Sequence, residues 1–318
     1  MPEDRKQVRV EVDGRVLRLT SLDKVMFGRT GTTKAEILSY LAAVAPALLP
    51  QLHDRPVTRL RFPHGVSGES FFEKNTPAGA PTWVRRVTLL SPHSRRADEL
   101  VTYPLIDDVA GLTWLGQLGA LELHVPQWRV EVDDAASEGA DVDPATAEDR
   151  RLDCDRLVVD LDPGPPAGLT ECAQVALLVR DVLADAGLTR LVPVTSGSKG
   201  LQVYAALPSL TPADQTRAMA KTVADHLAEE RPDLVLSTMA KNVRGGKVFI
   251  DWSQNVAAKT TICPYSLRGK KDSPFVAAPR TWEEIEEGAE DPVALEQLTP
   301  TEVLDRLQTD GDLMDALT

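Results

Sequence analysis

The chain has 318 residues, of which 42% are apolar, and a formal net charge of −13. That length supports a sizeable core in one large domain or two intimate subdomains, while the acidic balance argues against nonspecific nucleic-acid binding over the whole surface, because counterion release needs clustered lysine and arginine. Cys154, Cys172 and Cys263 lack zinc-like spacing and are too few for a disulfide framework, and no run of about 18 uncharged apolar residues or signal-peptide core occurs, so a reducing, cytoplasmic setting without a membrane is expected.

In chain order, QVRVEVDGRVLRLT alternates apolar and polar positions about Asp13-Gly14 and predicts a hairpin. TTKAEILSYLAAVAPALLPQL has helical periodicity with threonine available as N-cap. Short apolar segments run on to ALELHVPQW, and residues 131–155 read as an acidic surface loop. Strand LVVDLD then leads to helix TECAQVALLVRDVLADAG, capped by Thr170 and stopped by Gly187. Strands LVPVT and LQVYAAL come next, then helix TPADQTRAMAKTVADHLAEE with Pro212 near its first turn, and strands at LVLST and KVFIDW. Two helices over a small mixed sheet is the ferredoxin-like or RNA-recognition-motif-like arrangement, and the fold class is α/β (α+β).

The run RLVVDLDPG ends a hydrophobic strand in two acids. Alternation puts Leu157, Val159 and Leu161 on one face and Val158, Asp160 and Asp162 on the other. Carboxylates two residues apart on one face can share a divalent-ion site, and Asp251 in VFIDWSQN supplies a third acid at another strand end. Hard oxygen ligands suit Mg²⁺ or Mn²⁺. The residues leave a second reading open, in which D-x-D before Pro-Gly is only a strand end whose aspartates accept backbone hydrogen bonds in a turn.

VTSGSKGLQVY, residues 194–204, sets hydroxyls, backbone N–H groups and one ammonium between two strand-like runs. It lacks the Walker A spacing, and the residues after Gly200 alternate like a strand instead of opening a helix. It reads either as a plain hairpin loop or, beside a metal site, as a triphosphate cradle.

LDKVMF, RFPHGVSGESFFEKN, WLGQLGALELHVPQWR, LVVDLDPG, TSGSKGL, VFIDWSQN and KTTICPYSLRGK stand in the order found in the polymerase domain of bacterial ligase D. From about residue 20 to 285 the chain resembles that domain, a member of the archaeo-eukaryotic primase superfamily. The resemblance implies a single primase-polymerase domain over residues 1–318. It divides into an N-terminal α/β subdomain (about 1–130), an RNA-recognition-motif-like catalytic core (about 150–285) and a C-terminal helical tail (about 286–318).

The same resemblance makes Asp160, Asp162 and Asp251 the catalytic, metal-binding triad. His124, Ser196, Lys199, Gln254 and Arg268 match nucleotide-binding residues, Lys24 and Lys34 match the pair gripping a 5′-phosphate, and Phe71 and Phe72 match aromatics near the template strand. Arg61 is the remaining basic DNA contact. Two Mn²⁺ (or Mg²⁺) ions per site, NTP or dNTP substrates, and ribonucleotide addition at gaps and breaks in bacterial non-homologous end joining are implied. DNA ends bearing a 5′-phosphate, Ku and a DNA ligase are the implied partners, in the cytoplasm at the nucleoid.

Two positions depart from the family pattern: Gln202 stands where a histidine usually follows K-G-L, and Leu60 stands where a lysine often precedes the arginine. No K-x-D-G ligase nucleophile occurs, which suggests an excised or stand-alone polymerase. The rival readings are a primase that initiates without a primer, a D-x-D glycosyltransferase, and an end-binding module without catalysis. From the residues themselves, one ring of the adjacent Phe71-Phe72 pair is expected in the core.

Overall fold

The structure, a computed structural model, describes residues 7–90, 100–131, 150–240 and 244–317. Most of the expected acidic loop, 132–149, and part of KNVRGGK, 241–243, lie outside the described residues.

Strands β1 (Gln7–Val12) and β2 (Arg15–Thr20) form the predicted hairpin, with Asp13 and Gly14 at φ 50° and 70°, the left-handed pair that a tight two-residue turn requires. A short ribbon, β3 (Val25–Phe27) and β4 (Thr32–Thr33), leads into helix α1 (Lys34–Leu52). The Thr33 hydroxyl accepts the Glu36 N–H and the Glu36 carboxylate accepts the Thr33 N–H, a reciprocal cap. By length and apolarity α1 could cross a membrane; here its Ile37, Leu41, Val44 and Leu48 are buried in the core.

The chain continues through β5 (Thr58–Arg61), β6 (Phe71–Glu73), β7 (Arg86–Leu90), β8 (Leu100–Pro104), α2 (Val109–Gln117), β9 (Ala120–Val125) and β10 (Trp128–Val130). Then come β11 (Arg151–Pro163), α3 (Leu169–Asp185), β12 (Leu191–Thr195), β13 (Leu201–Thr211), α4 (Ala213–Glu230), β14 (Val235–Leu236) and β15 (Val248–Ile250). The last elements are β16 (Thr261–Ile262), β17 (Leu267–Arg268), β18 (Phe275–Val276), β19 (Ala278–Pro279), α5 (Trp282–Glu290) and α6 (Pro300–Thr309).

One sheet runs β14-β15-β11-β13-β12-β19, with β10 also on β11. Within it β15-β11-β13-β12 is the antiparallel order expected of an RNA-recognition-motif-like core. A second sheet runs β16-β9-β5-β6. Leu157, Val159 and Leu161 of β11 pack with Cys172, Val175 and Val179 of α3 and with Ala220, Val223 and Leu227 of α4. Fully burying one such side chain contributes about 1.5–3 kcal/mol, so this face holds the helices down. Val158 and Tyr204 belong to the other apolar cluster, with α1, α2 and β9. The polar face of β11 is thereby turned toward the second sheet.

Two expectations are corrected. Residues 151–155 are not loop but the start of β11, paired with β10 through Trp128 and Cys154; Asp155 there is compensated by arginines from other elements. Helix α3 is capped at Gly168, whose N–H donates to Glu171 at 2.7 Å, so Thr170 lies inside the first turn. Gly187 does end that helix, at φ 83°.

Candidate active site

Asp160 and Asp162 lie on the face of β11 opposite the helices, as the alternation predicts. Asp160 is in register with Gln202 of β13, and Asp162 with Phe249 of β15. The chain leaving β15 brings in the third acid: the Asp251 N–H donates to the Asp160 carbonyl at 2.8 Å. Asp251 also caps the 3-10 turn Trp252–Asn255, and Gln254 Nε2 donates to its Oδ2 at 2.8 Å. Burial, together with the charges of Asp162 and Asp251, pushes the Asp160 carboxyl up to about 7. Gln202 opposes that shift by donating to Asp160 Oδ1 at 3.0 Å. Gln202 Oε1 is in turn 3.0 Å from the buried Tyr204 hydroxyl. Three clustered acids of hard-oxygen type, with too little nearby positive charge, fit a divalent cation of the Mg²⁺ or Mn²⁺ class.

Asp160 and Asp162 line a pocket of about 220 Å³ together with His124, Ser196, Lys199, Gln254 and Arg268. All five expected nucleotide-binding residues therefore share one pocket with the two acids. The 196–200 loop closes on itself: Ser196 Oγ accepts N–H bonds from Ser198 and Gly200 at 3.3 and 3.2 Å. Its glycines are sterically required. Gly197 has φ 69°, and a Cβ there would meet Arg268 Cβ at 2.9 Å; one on Gly200 would meet the Leu161 carbonyl at 2.3 Å. Lys199 is largely exposed, 3.5 Å from Asp162.

Glu122 was not among the expected site residues. It is 1% exposed beneath the pocket, with Oε2 at 2.9 Å from His124 Nε2, Oε1 accepting the Gly269 N–H at 2.9 Å, and Arg268 at 3.6 Å. Burial works to raise its carboxyl, but the His124 bond, the Arg268 charge and the Gly269 N–H hold it below the usual range. Burial lowers the His124 imidazole, and Glu122 opposes that. The signal was present in LELH, where Glu and His two apart on a strand share a face. Lys270 and Thr261 also line the pocket.

The other expected DNA contacts lie apart from this pocket. Lys24 and Lys34 come together through the Lys34 N–H to Lys24 carbonyl bond at 2.8 Å. Burial, then the Lys24 charge, holds the Lys34 ammonium down at about 8, so the start of α1 carries two crowded cations suited to an anion. Arg61 is engaged, donating to Glu73 at 2.6 Å and to the Leu118 carbonyl at 2.8 Å. Phe71 and Phe72 are both exposed, 43% and 59%. This corrects the expectation of one core ring: β6 is a three-residue terminal strand, paired only with β5.

A different convergence of ligand-type atoms, His53, Asp54 and Asp107, falls within 4.8 Å. Arg85 already bonds both carboxylates, at 3.0 and 2.6 Å, so that cluster carries its own counter-charge.

Comparison with known proteins identifies the family. The family described as LigD, primase-polymerase domain, matches residues 33–314. The multifunctional non-homologous end joining protein LigD of Mycobacterium bovis is 47% identical over 299 residues, 94% of this chain and 36% of that protein. The bifunctional LigD of Bacillus subtilis is 32% identical over 301 residues, 93% of this chain and 43% of that protein. The chain thus spans well under half the length of these curated relatives. The polymerase domain from Mycobacterium tuberculosis ligase D, solved in complex with DNA, superposes with a TM-score of 0.84 at 46% identity, covering 95% of this chain and 98% of that one. The chain belongs to the LigD primase-polymerase domain family of nucleotidyltransferases.

Proposed function

We propose that this chain is a template-dependent nucleotidyltransferase that adds nucleotides, preferentially ribonucleotides, to primer 3′-ends at gaps and breaks in bacterial non-homologous end joining. The observation that carries the reading is the single pocket in which Asp160 and Asp162 face His124, Ser196, Lys199 and Arg268, with Asp251 bonded alongside. Asp160, Asp162 and Asp251 would hold two Mn²⁺ or Mg²⁺ ions, which when bound supply activation of the primer hydroxyl and charge neutralisation at the departing pyrophosphate.

The remaining work belongs to the chain's own groups. Arg268, anchored beside Glu122, and the exposed ammonium of Lys199 receive the triphosphate oxygens of an NTP or dNTP. The closed 196–200 loop presents Ser196 to the nucleotide, and His124 is fixed by Glu122 toward its sugar. Gln254 keeps Asp251 oriented. Lys24 and Lys34 hold the downstream 5′-phosphate, and the exposed Phe71 and Phe72 rings offer stacking surfaces to the template strand; Arg61 supports that edge through Glu73. Residues 1–318 act as one domain, with DNA contacts in about 1–130, catalysis in about 150–285 and a bracing tail in about 286–318. Ku and a DNA ligase are the partners this role requires, in the cytoplasm at the nucleoid.

The test is extension of a labelled primer across a short gap with a downstream 5′-phosphate, comparing ribonucleotides with deoxyribonucleotides in Mn²⁺. Wild type should add templated nucleotides. Asp160→Ala/Asp162→Ala should lose at least about a thousandfold in rate, as removal of charge-stabilising groups does. Tight binding of gapped DNA without any incorporation by wild type would replace this reading with an end-binding module.

A further inference from the structure

A second cavity among the described residues, about 760 Å³ and larger than the pocket of the acids, is a cleft lined by the second half of α1, by Asp155 and Arg156 of β11, by Leu207 of β13 and by Met314 and Leu317. Four arginines line it, Arg55, Arg129, Arg156 and Arg190, against two carboxylates, Asp155 and Asp107. Asp107 is already bonded by Arg85, and Asp155 by both Arg55 and Arg129. Three of these arginines, Arg55, Arg129 and Arg156, act on the single carboxylate of Asp155, a local surplus of positive charge in a chain of net charge −13.

The two deepest guanidinium groups share one carboxylate: Arg55 holds both oxygens of Asp155 at 2.6 Å, which leaves Arg156 without an ion pair of its own. Arg55 is 1% exposed and Arg156 4%. Arg156 bonds only neutral amides, Gln127 at 2.7 Å and Gln51 at 3.0 Å, and its second terminal nitrogen has no partner. Arg55 Nε is also without one. Buried charges are normally paired and hydrogen-bonded. Burial first, then the Arg156 charge, holds the Arg55 guanidinium down at about 9, the direction an added anion would reverse. Leu49, Pro50, Leu207 and Leu317 line the same cleft and give it apolar surface. The volume falls in the range of small-ligand sites.

We propose that this arginine-lined cleft is a second ligand site that takes a small organic phosphate, its phosphoryl oxygens on Arg129 and Arg156 and its apolar body along α1. Guanidinium forks converging from separate elements match several oxygens of one phosphoryl group, and the leucine and proline surface favours an organic body over the bare ion. The site is independent of the catalytic reading, since none of its residues lines the catalytic pocket.

The experiment is calorimetric titration of the full chain, in EDTA, with phenyl phosphate and with inorganic phosphate. A saturable site preferring phenyl phosphate by about tenfold is expected. Arg129→Gln should weaken it at least fivefold; this side chain is one-third exposed, so the variant can fold where Arg156→Gln fails. Lys34→Ala/Lys199→Ala should leave the affinity unchanged, because those lysines serve the other two phosphate sites. Absence of saturable heat, equal affinity for the two probes, or binding that survives Arg129→Gln but vanishes in the lysine variant would each overturn the proposal.

Discussion

Strand β11 carries Asp155 and Arg156 into the arginine cleft toward one end and Asp160 and Asp162 into the candidate catalytic pocket toward the other. The acids of the two regions are in opposite electrostatic states. In the cleft, burial works to raise the Asp155 carboxyl, but Arg55 and Arg156, with bonds from Arg55 and Arg129, hold it at about 2. In the pocket, burial and neighbouring acids push Asp160 up to about 7. The lesson concerns surplus rather than charge itself. An acid among arginines holds the fold together, whereas acids gathered without enough positive charge are suited to a cation. The balanced His53–Asp54–Asp107–Arg85 cluster lies between these extremes and is explained as structure alone.

The strongest way to break this contrast is to delete one acid from each region. Asp155→Ala should cost about 3 kcal/mol in urea unfolding at pH 7, because it strands buried guanidinium groups. Asp162→Ala, measured in EDTA, should cost nothing or stabilise, since it removes repulsion from Asp160. The Asp155 contribution also has a defined pH window. With the folded value depressed to about 2 against 3.8 for the free group, it is fully present above pH 4 and is lost as pH falls toward 2. Equal unfolding midpoints for Asp155→Ala and wild type would end the comparison.

A second prediction sharpens it within the pocket, where Glu122 is a compensated acid that acts through its neighbours. Glu122→Gln keeps the shape and the Gly269 contact but loses the charge facing Arg268 and His124. Steady-state kinetics should show the KM for nucleotide rising about tenfold with a smaller change in kcat. Unchanged KM would leave Glu122 as a structural acid only.

The smallest expected effect is at the lysine pair. A downstream 5′-phosphate is almost fully dianionic by pH 7, while Lys34, held at about 8, loses its proton as pH rises through that value. The affinity gain that the 5′-phosphate confers on gapped DNA should therefore shrink by a few fold between pH 7 and 9. Fluorescence anisotropy with phosphorylated and unphosphorylated gaps measures it, and a pH-independent gain would place the phosphate elsewhere.

Much of the catalytic side was legible in one dimension. Period-two alternation put Asp160 and Asp162 on one face, and the polar run 195–200 between two strand-like segments read as a loop, because both depend on backbone geometry within a few residues. Glu122 was missed although it stands two residues from His124. Only its burial under Arg268, which is distant in the chain, turns it from a strand carboxylate into an anchor. The exposure of both Phe71 and Phe72 was misread for a related reason: strand alternation buries one ring only where a layer covers that face, and β6 ends its sheet.

The sequence by itself determined the local devices: the Asp13-Gly14 turn, the Thr33 cap, the D-x-D strand end and the ordered motifs that mark the family. These arise from φ/ψ preference and side-chain periodicity, which act over neighbouring residues. Only the tertiary structure decided which charges are compensated. It gathered Arg55, Arg129 and Arg156 around the Asp155 carboxylate, set Lys24 against Lys34, and left the acid triad short of positive charge. Electrostatic balance is summed over whatever side chains the fold brings within a few ångströms, with the solvent excluded, and no reading along the chain supplies that sum.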